Sequence, residues 1–286
     1  MLVFENKLKK DIFMQPMNEE AFCKLKKTLE LSKKQEAIGR IPRNWLIFVS
    51  NNMKSENSLI KESLLRMAEK EVYGGRLTRG NIYQLVSDRT TPTIDCVISI
   101  LAWGGRDVKN GSTALSTVED WLPICDEIRS GNLSRANAYE KFKSIRGVDA
   151  NPKLQGMGPA YYTKLIFFLM PQQIEQGYIM DQWTGASVNL ISGIRLVKLN
   201  RTINRYKKIE ESVSDDNTKD DYENFCKFIE YIAKRLREEL QKAVDPATVE
   251  LAMFSFGGRE KGEWRKYVIE KRAAEQQQLK SLSSYS

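Results

Sequence analysis

Lys164 is the only charged residue between Lys153 and Glu175. It stands in the run Leu154-Gln155-Gly156-Met157-Gly158-Pro159-Ala160-Tyr161-Tyr162-Thr163-Lys164-Leu165-Ile166-Phe167-Phe168, and a carboxylate follows at Asp181, ahead of another amphipathic stretch. On a helix, its neighbours three and four positions away are Ala160, Tyr161, Phe167 and Phe168. An ammonium in that company is poorly solvated, so its pKa falls and its amine becomes a nucleophile. Gly156 and Gly158 permit a tight turn with exposed backbone amides. Pro159 suits the first position of a helix, where a missing N–H costs nothing, and amides at a turn feeding a helix N-terminus hold phosphate. The pattern joins a phosphate grip to an amine able to attack an electrophilic carbon, a combination suited to the sugar of a nucleic acid. The commoner role of a helical lysine, snorkelling its charge to water, stands beside that reading.

Asp181 precedes Gln182-Trp183-Thr184-Gly185 and is a natural N-cap. A carboxylate at a helix N-terminus stays ionised, which is what stabilising a developing positive charge or activating an amine requires. Trp183 and the aromatics around Lys164 either wall a pocket or pack. Phosphate contacts are expected at Gly156, Gly158 and the series Arg195, Lys198, Arg201, Arg205, Lys207 and Lys208, which no acid interrupts. A basic run is more often a solvated face. The N-terminal lysines and the Arg265 to Arg272 segment are secondary candidates.

The elements that must position these groups read almost entirely as helix. The chain has 286 residues, 41% of them hydrophobic, enough for one large domain or two small ones. Apolar periodicity predicts helices over 18–38, 57–71, 94–103, 116–129, 134–145, 181–194 and 221–242, another from Asp245-Pro246 to Gly257-Gly258, and a basic one from Glu263. Pro42 breaks the first run, Gly74-Gly75 and Gly104-Gly105 end others, and no convincing alternating strand pattern occurs. The expected fold class is all-α. The domain boundaries implied are a basic helical segment 1–42, a main domain 43–257 with the hairpin at 152–170, and a basic C-terminal helix and tail 258–286.

A formal charge of +8 suits a polyanionic partner. The complete absence of histidine removes His-based triads, His-ligated zinc and imidazole bases. Acid–base work then falls to Asp, Glu, Lys or Tyr. Cys23, Cys96, Cys125 and Cys226 show no paired metal spacing, and no metal or organic cofactor is expected. No apolar run approaches the ~20 residues of a membrane helix, so a cytoplasmic protein with no membrane partner is expected.

The hairpin, the lysine and the acid together resemble the helix-hairpin-helix DNA glycosylases, whose signature is a hydrophobic-x-Gly-hydrophobic-Gly hairpin followed by an Asp at the head of the next helix. Here Leu154 to Gly158 supplies the hairpin and Ile179-Met180-Asp181 the acid. The closer likeness is to bacterial proteins with an 8-oxoguanine glycosylase fold, which often read Gly-x-Gly-Pro-Ala-Phe-Phe-Thr-Lys and then Leu-Asp. Val249-Glu250-Leu251-Ala252-Met253-Phe254-Ser255 is similar to the late helix that stacks a Phe on the extruded base in oxoguanine glycosylases. The likeness spans roughly residues 80 to 257. Ala160 stands where the eukaryotic enzymes carry their lysine; Lys164 lies one turn later, as in the archaeal oxoguanine glycosylases. The cysteine cluster of the iron–sulfur endonucleases is absent.

The resemblance implies a helix-hairpin-helix glycosylase-like fold, duplex DNA with a flipped base as partner, and excision of 8-oxoguanine or another modified purine. Lys164 would be the nucleophile, Asp181 its electrostatic partner, and Phe254, Glu250 and Trp183 the base-binding residues. Against this, Phe254 could equally be core, and an exposed helical glutamate is the commoner case at Glu250. Some bacterial proteins of this group are encoded with anti-phage defence systems, so genome repair need not be the role, and partner proteins from such an operon stay unknown. Two alternatives remain open. One is a catalytically inactive DNA-binding or assembly protein; the other is a glycosylase in which Asp181 activates water and Lys164 only positions.

Overall fold

The computed structural model describes residues 17–31, 41–53, 58–105, 107–147, 153–172, 175–203, 209–255 and 261–283. Along the chain these form α1 (Glu19–Leu31), α2 (Pro42–Asn52), α3 (Ser58–Glu69), a 3-10 turn (Glu71–Gly74), α4 (Arg79–Ser87), α5 (Thr93–Trp103), α6 (Val108–Ser116), α7 (Val118–Arg129), α8 (Arg135–Arg146), α9 (Pro159–Leu169) and α10 (Gln182–Ser192). A hairpin of β1 (Leu199–Ile203) and β2 (Ile209–Val213) follows, then α11 (Lys219–Leu240), α12 (Pro246–Phe254) and α13 (Glu263–Ser283). The fold is all-α, as the periodicity predicts.

Two compact units share the chain. The hairpin unit holds residues 35–180 and 212–223; the carboxylate unit holds 1–34, 181–211 and 224–286.

In the hairpin unit, Pro42 does more than end a run: it fills the first position of α2, where its fixed φ favours a helix. A Cβ on Gly111 would lie 2.6 Å from Trp45, so α6 packs on α2 through a residue otherwise poor in helices. Arg129 and Arg135 are two of the arginines buried here, and burying such a charge is tolerable only when its donors are met. Arg129 gives hydrogen bonds to the carbonyls of Val86, Asp88 and Thr91 at 2.6–3.1 Å and closes the chain after α4. Arg135 bonds Glu223 at 2.8 Å, Glu175 at 2.9 Å and the Gln176 carbonyl at 2.7 Å. Stacked rings join α8 to its neighbours: Phe142 on Tyr162 at 5.4 Å and Tyr139 on Tyr222 at 4.7 Å.

The turn that matters most lies between α8 and α9. Leu154 and Met157 are buried, and the Leu154 N–H donates to the Ile145 carbonyl at 3.2 Å. Gly156 adopts φ +67°, and a Cβ there would sit 2.7 Å from the Asn110 carbonyl oxygen of α6. Arg146 ties the turn down, donating to the Met157 carbonyl at 2.8 Å and gripping Asp215 at 2.6 and 2.7 Å. Gly158, by contrast, has φ −95°, and a Cβ there would meet only Arg146 at ordinary contact distance, so conformation does not demand glycine there.

In the carboxylate unit, α1, α10, α12, α13 and the greater part of α11 enclose Phe22, Leu25, Val188, Ile191, Ile229, Ile232, Met253 and Trp264. The Trp264 indole N–H donates to Ser187 Oγ at 2.8 Å, and Ser187 Oγ in turn donates to the Met253 carbonyl at 3.3 Å. Ion pairs at the rim, Arg235 with Glu19 at 2.6 Å and Lys26 with Glu239 at 3.0 Å, add little energy each because water screens them.

Gly156→Ala is expected to cost at least about 1 kcal/mol, because the left-handed backbone and the Asn110 carbonyl both oppose a side chain. Gly158→Ala should cost less. Urea unfolding of the two variants checks this; equal losses would contradict it.

Candidate active site

The hairpin unit brings together Gly156, Gly158 and Lys164. Pro159 opens α9 with Gly158 as its N-cap residue, and the helix then buries every side chain from Tyr162 to Leu169. Lys164 lies among them at 9% exposure. Its Nζ is 4.2 Å from the centre of the Tyr161 ring, a cation–π distance. The stem runs past Gly104 at the end of α5, where a Cβ would come within 3.2 Å of Lys164 Cδ. Gly104 has φ −65°, an ordinary value, so glycine is used there for space. In the sequence Gly104 reads only as a helix stop; nothing short of the packing reveals its second role.

Thr163, the residue before Lys164, donates from Oγ1 to the Pro159 carbonyl at 2.7 Å and accepts the Met180 N–H at 3.1 Å. That bond fixes the extended strand that leads out of α9 at its last residue before Asp181.

In the carboxylate unit Asp181 caps α10. Its Oδ1 accepts from the Trp183 N–H at 2.7 Å and the Thr184 N–H at 3.0 Å, and Thr184 Oγ1 returns the favour to the Asp181 N–H at 2.9 Å. The side chain is buried. Trp183 and Phe254 are both half-buried. Between these rings and Asp181 the unit places Arg265 of α13: its Cζ is 4.3 Å from the Trp183 ring centre and 5.1 Å from that of Phe254. Burial pushes the Arg265 guanidinium below its ordinary range, and the Asp181 carboxylate opposes that shift. Glu250, one turn before Phe254, is fully buried, unlike the commoner exposed helical glutamate.

Arg201 lies exposed on β1, paired with Glu211 at 2.6 Å. A cavity of about 480 Å³ opens beside it, lined by Arg195, Arg201, Lys271 and Arg272 along with Asn189 and Gly193, with no acid among the described residues of its wall. Arg205, Lys207 and Lys208 lie outside the described residues, as do Gly257 and Gly258. No alternating pattern announces the two strands, yet Arg201 of the basic series lies on β1.

A family model described as "Putative 8-oxoguanine DNA glycosylase OGG-like protein" matches residues 34–254, well over half of the chain. The chain belongs to this OGG-like family. The family is one of DNA glycosylases, which makes DNA the expected substrate of the OGG-like chain. No curated protein and no solved structure matches it. The matched span contains Lys164, Asp181, Trp183, Glu250 and Phe254, and it ends before α13. Among the described residues, no helix of the OGG-like chain is long and apolar enough to cross a membrane.

Capping by Asp181 has a measurable signature. Asp181→Ala should cost about 1 kcal/mol of stability, whereas Asp181→Asn, an equally good cap, should cost less than half of that. Thermal melts of the two variants decide; equal destabilisation would mean the capping bonds carry no weight.

Proposed function

We propose that this protein excises a modified purine, with 8-oxoguanine the first candidate, from DNA through a covalent step at Lys164. The observation that carries the reading is a lysine buried in an apolar helix directly behind a glycine hairpin, in a chain of a glycosylase family. A buried amine that only served solubility would be costly to keep.

In the proposed reaction the Lys164 Nζ lone pair forms a bond to C1′ as the C1′–N9 bond breaks. The bonding pair leaves with the base, which takes up a proton. Loss of a proton from Nζ and opening of the sugar ring then leave a Schiff base between Lys164 and C1′. Asp181 stabilises the positive charge that develops on the sugar. Support for its place comes from the chain itself: Asp181 directly follows Met180, which is hydrogen-bonded to Thr163, the residue before Lys164. Phe254 and Trp183 provide flat surfaces for an extruded base, and Glu250 reads its edge. The turn at Gly156 and Gly158, together with Arg195, Arg201, Arg205 and Lys207, contacts backbone phosphate.

Base release from a panel of modified-base duplexes tests the reading. Wild type should release at least one modified purine, Lys164→Ala should release none while still binding DNA, and Asp181→Asn should keep affinity and lose at least about a hundredfold in rate. Full release by Lys164→Ala would overturn the assignment. Gly104→Val, which crowds the lysine stem, should also slow release without weakening binding.

Binding should fall steeply with salt. Each phosphate contact adds about −0.9 to the slope of log affinity against log salt, so replacing Arg195 and Arg201 by Ala should flatten the slope by up to about 2. An unchanged slope would remove these two residues from the interface.

A further inference from the structure

Arg265 lies on α13, beyond the span that the family model matches, yet it touches the residues proposed above to hold the base. Its side chain is 7% exposed. Nη2 donates to the Phe254 carbonyl at 2.5 Å and the Ser255 carbonyl at 3.0 Å. Ser255 sits at φ +51°, ψ 171°, a conformation almost reserved for glycine. The two bonds therefore hold a costly turn that sets where Phe254 ends α12. The same guanidinium lies against the rings of Trp183 and Phe254. One buried donor is left without an acceptor among the described residues, the N–H of Nε. A buried charged donor without an acceptor is expensive, and such groups mark places where a ligand completes the set.

The surroundings limit what that ligand is. A phosphate gains nothing from two aromatic rings, whereas a flat heterocycle gains stacking from both. Arginine offers donors only, so the ligand must present an acceptor. With Nη2 engaged, Nε offers one N–H rather than a fork. On purines, arginine pairs with the 6-keto oxygen and N7 of guanine, while a 6-amino group offers only donors at that edge.

We propose that Arg265 is a specificity-determining residue of the base site. It fixes Trp183 and Phe254 as platforms and donates Nε–H to the 6-keto oxygen of an extruded purine, selecting 6-keto over 6-amino bases. This rests on the base-excision reading above.

The test is equilibrium binding to duplexes whose modified nucleotide carries a 2′-fluoro sugar, which blocks cleavage and so removes catalysis from the comparison. One duplex carries 8-oxoguanine, a second carries 8-oxo-2,6-diaminopurine, which differs at the 6-position edge, and a third is unmodified. Wild type should bind the first about tenfold more tightly than the second. Arg265→Met should bind both alike, and so should Arg265→Lys, which keeps the charge but has no donor at the Nε position. Lysine is the variant to read if methionine fails to melt cooperatively. Equal wild-type binding of the two modified duplexes, both tighter than the unmodified one, would overturn the role of Arg265 and leave base extrusion standing. Discrimination retained in a folded Arg265 variant would overturn it too. Wild type showing no preference for either modified duplex over the unmodified one would instead remove the base site itself.

Discussion

Helix α9 enters the hairpin unit through a turn that a side chain would obstruct. At Gly156 the backbone is left-handed and the α-carbon rests against the Asn110 carbonyl, so the chain passes close over α6 and starts α9 at Pro159. Arg146 locks that geometry by holding the Met157 carbonyl and Asp215 together. The direction of α9 then follows, and so does the burial of everything from Tyr162 to Leu169. Lys164 is carried inward as part of this surface. The same turn that leaves amides near its outer edge thus fixes an amine a turn and a half further along.

Buried cations in this protein fall into two kinds. Arg129 and Arg135 are consumed by structure: their donors meet carbonyls and carboxylates that close loops. Arg79, Lys164 and Arg265 lie against aromatic rings: Phe167 and Trp103 for the first, Tyr161 for the second, and Trp183 with Phe254 for the third, which bonds two carbonyls as well. A ring face stabilises a cation without a directional acceptor.

Much of this was legible from residue types. Asp181 reads as a helix cap, and it accepts the backbone N–H groups that a cap should. Lys164 stood out because nothing else charged lies near it in the chain. Other features were hidden for physical reasons. Helix α6, Val-Lys-Asn-Gly-Ser-Thr-Ala-Leu-Ser, is built from weak helix formers and exists because Gly111 lets it lie on Trp45. The strands Leu199–Ile203 and Ile209–Val213 are five residues each and mostly polar, too short for a clear alternation. Glu250 and Arg265 look like surface residues in the sequence, and only tertiary packing shows them buried. Gly104 ends a helix in sequence terms, but what it contributes is room for the Lys164 stem.

The central claim is that the Lys164 amine forms the covalent bond to the sugar. Borohydride reduction of the full-length protein on a cleavable modified duplex, followed by protease digestion and mass spectrometry, locates that bond directly. The account predicts one reduced deoxyribose adduct, on the peptide that spans α9 and at Lys164. An adduct on another lysine, or on the N-terminal amine, formed while base release proceeds at its normal rate, would contradict it.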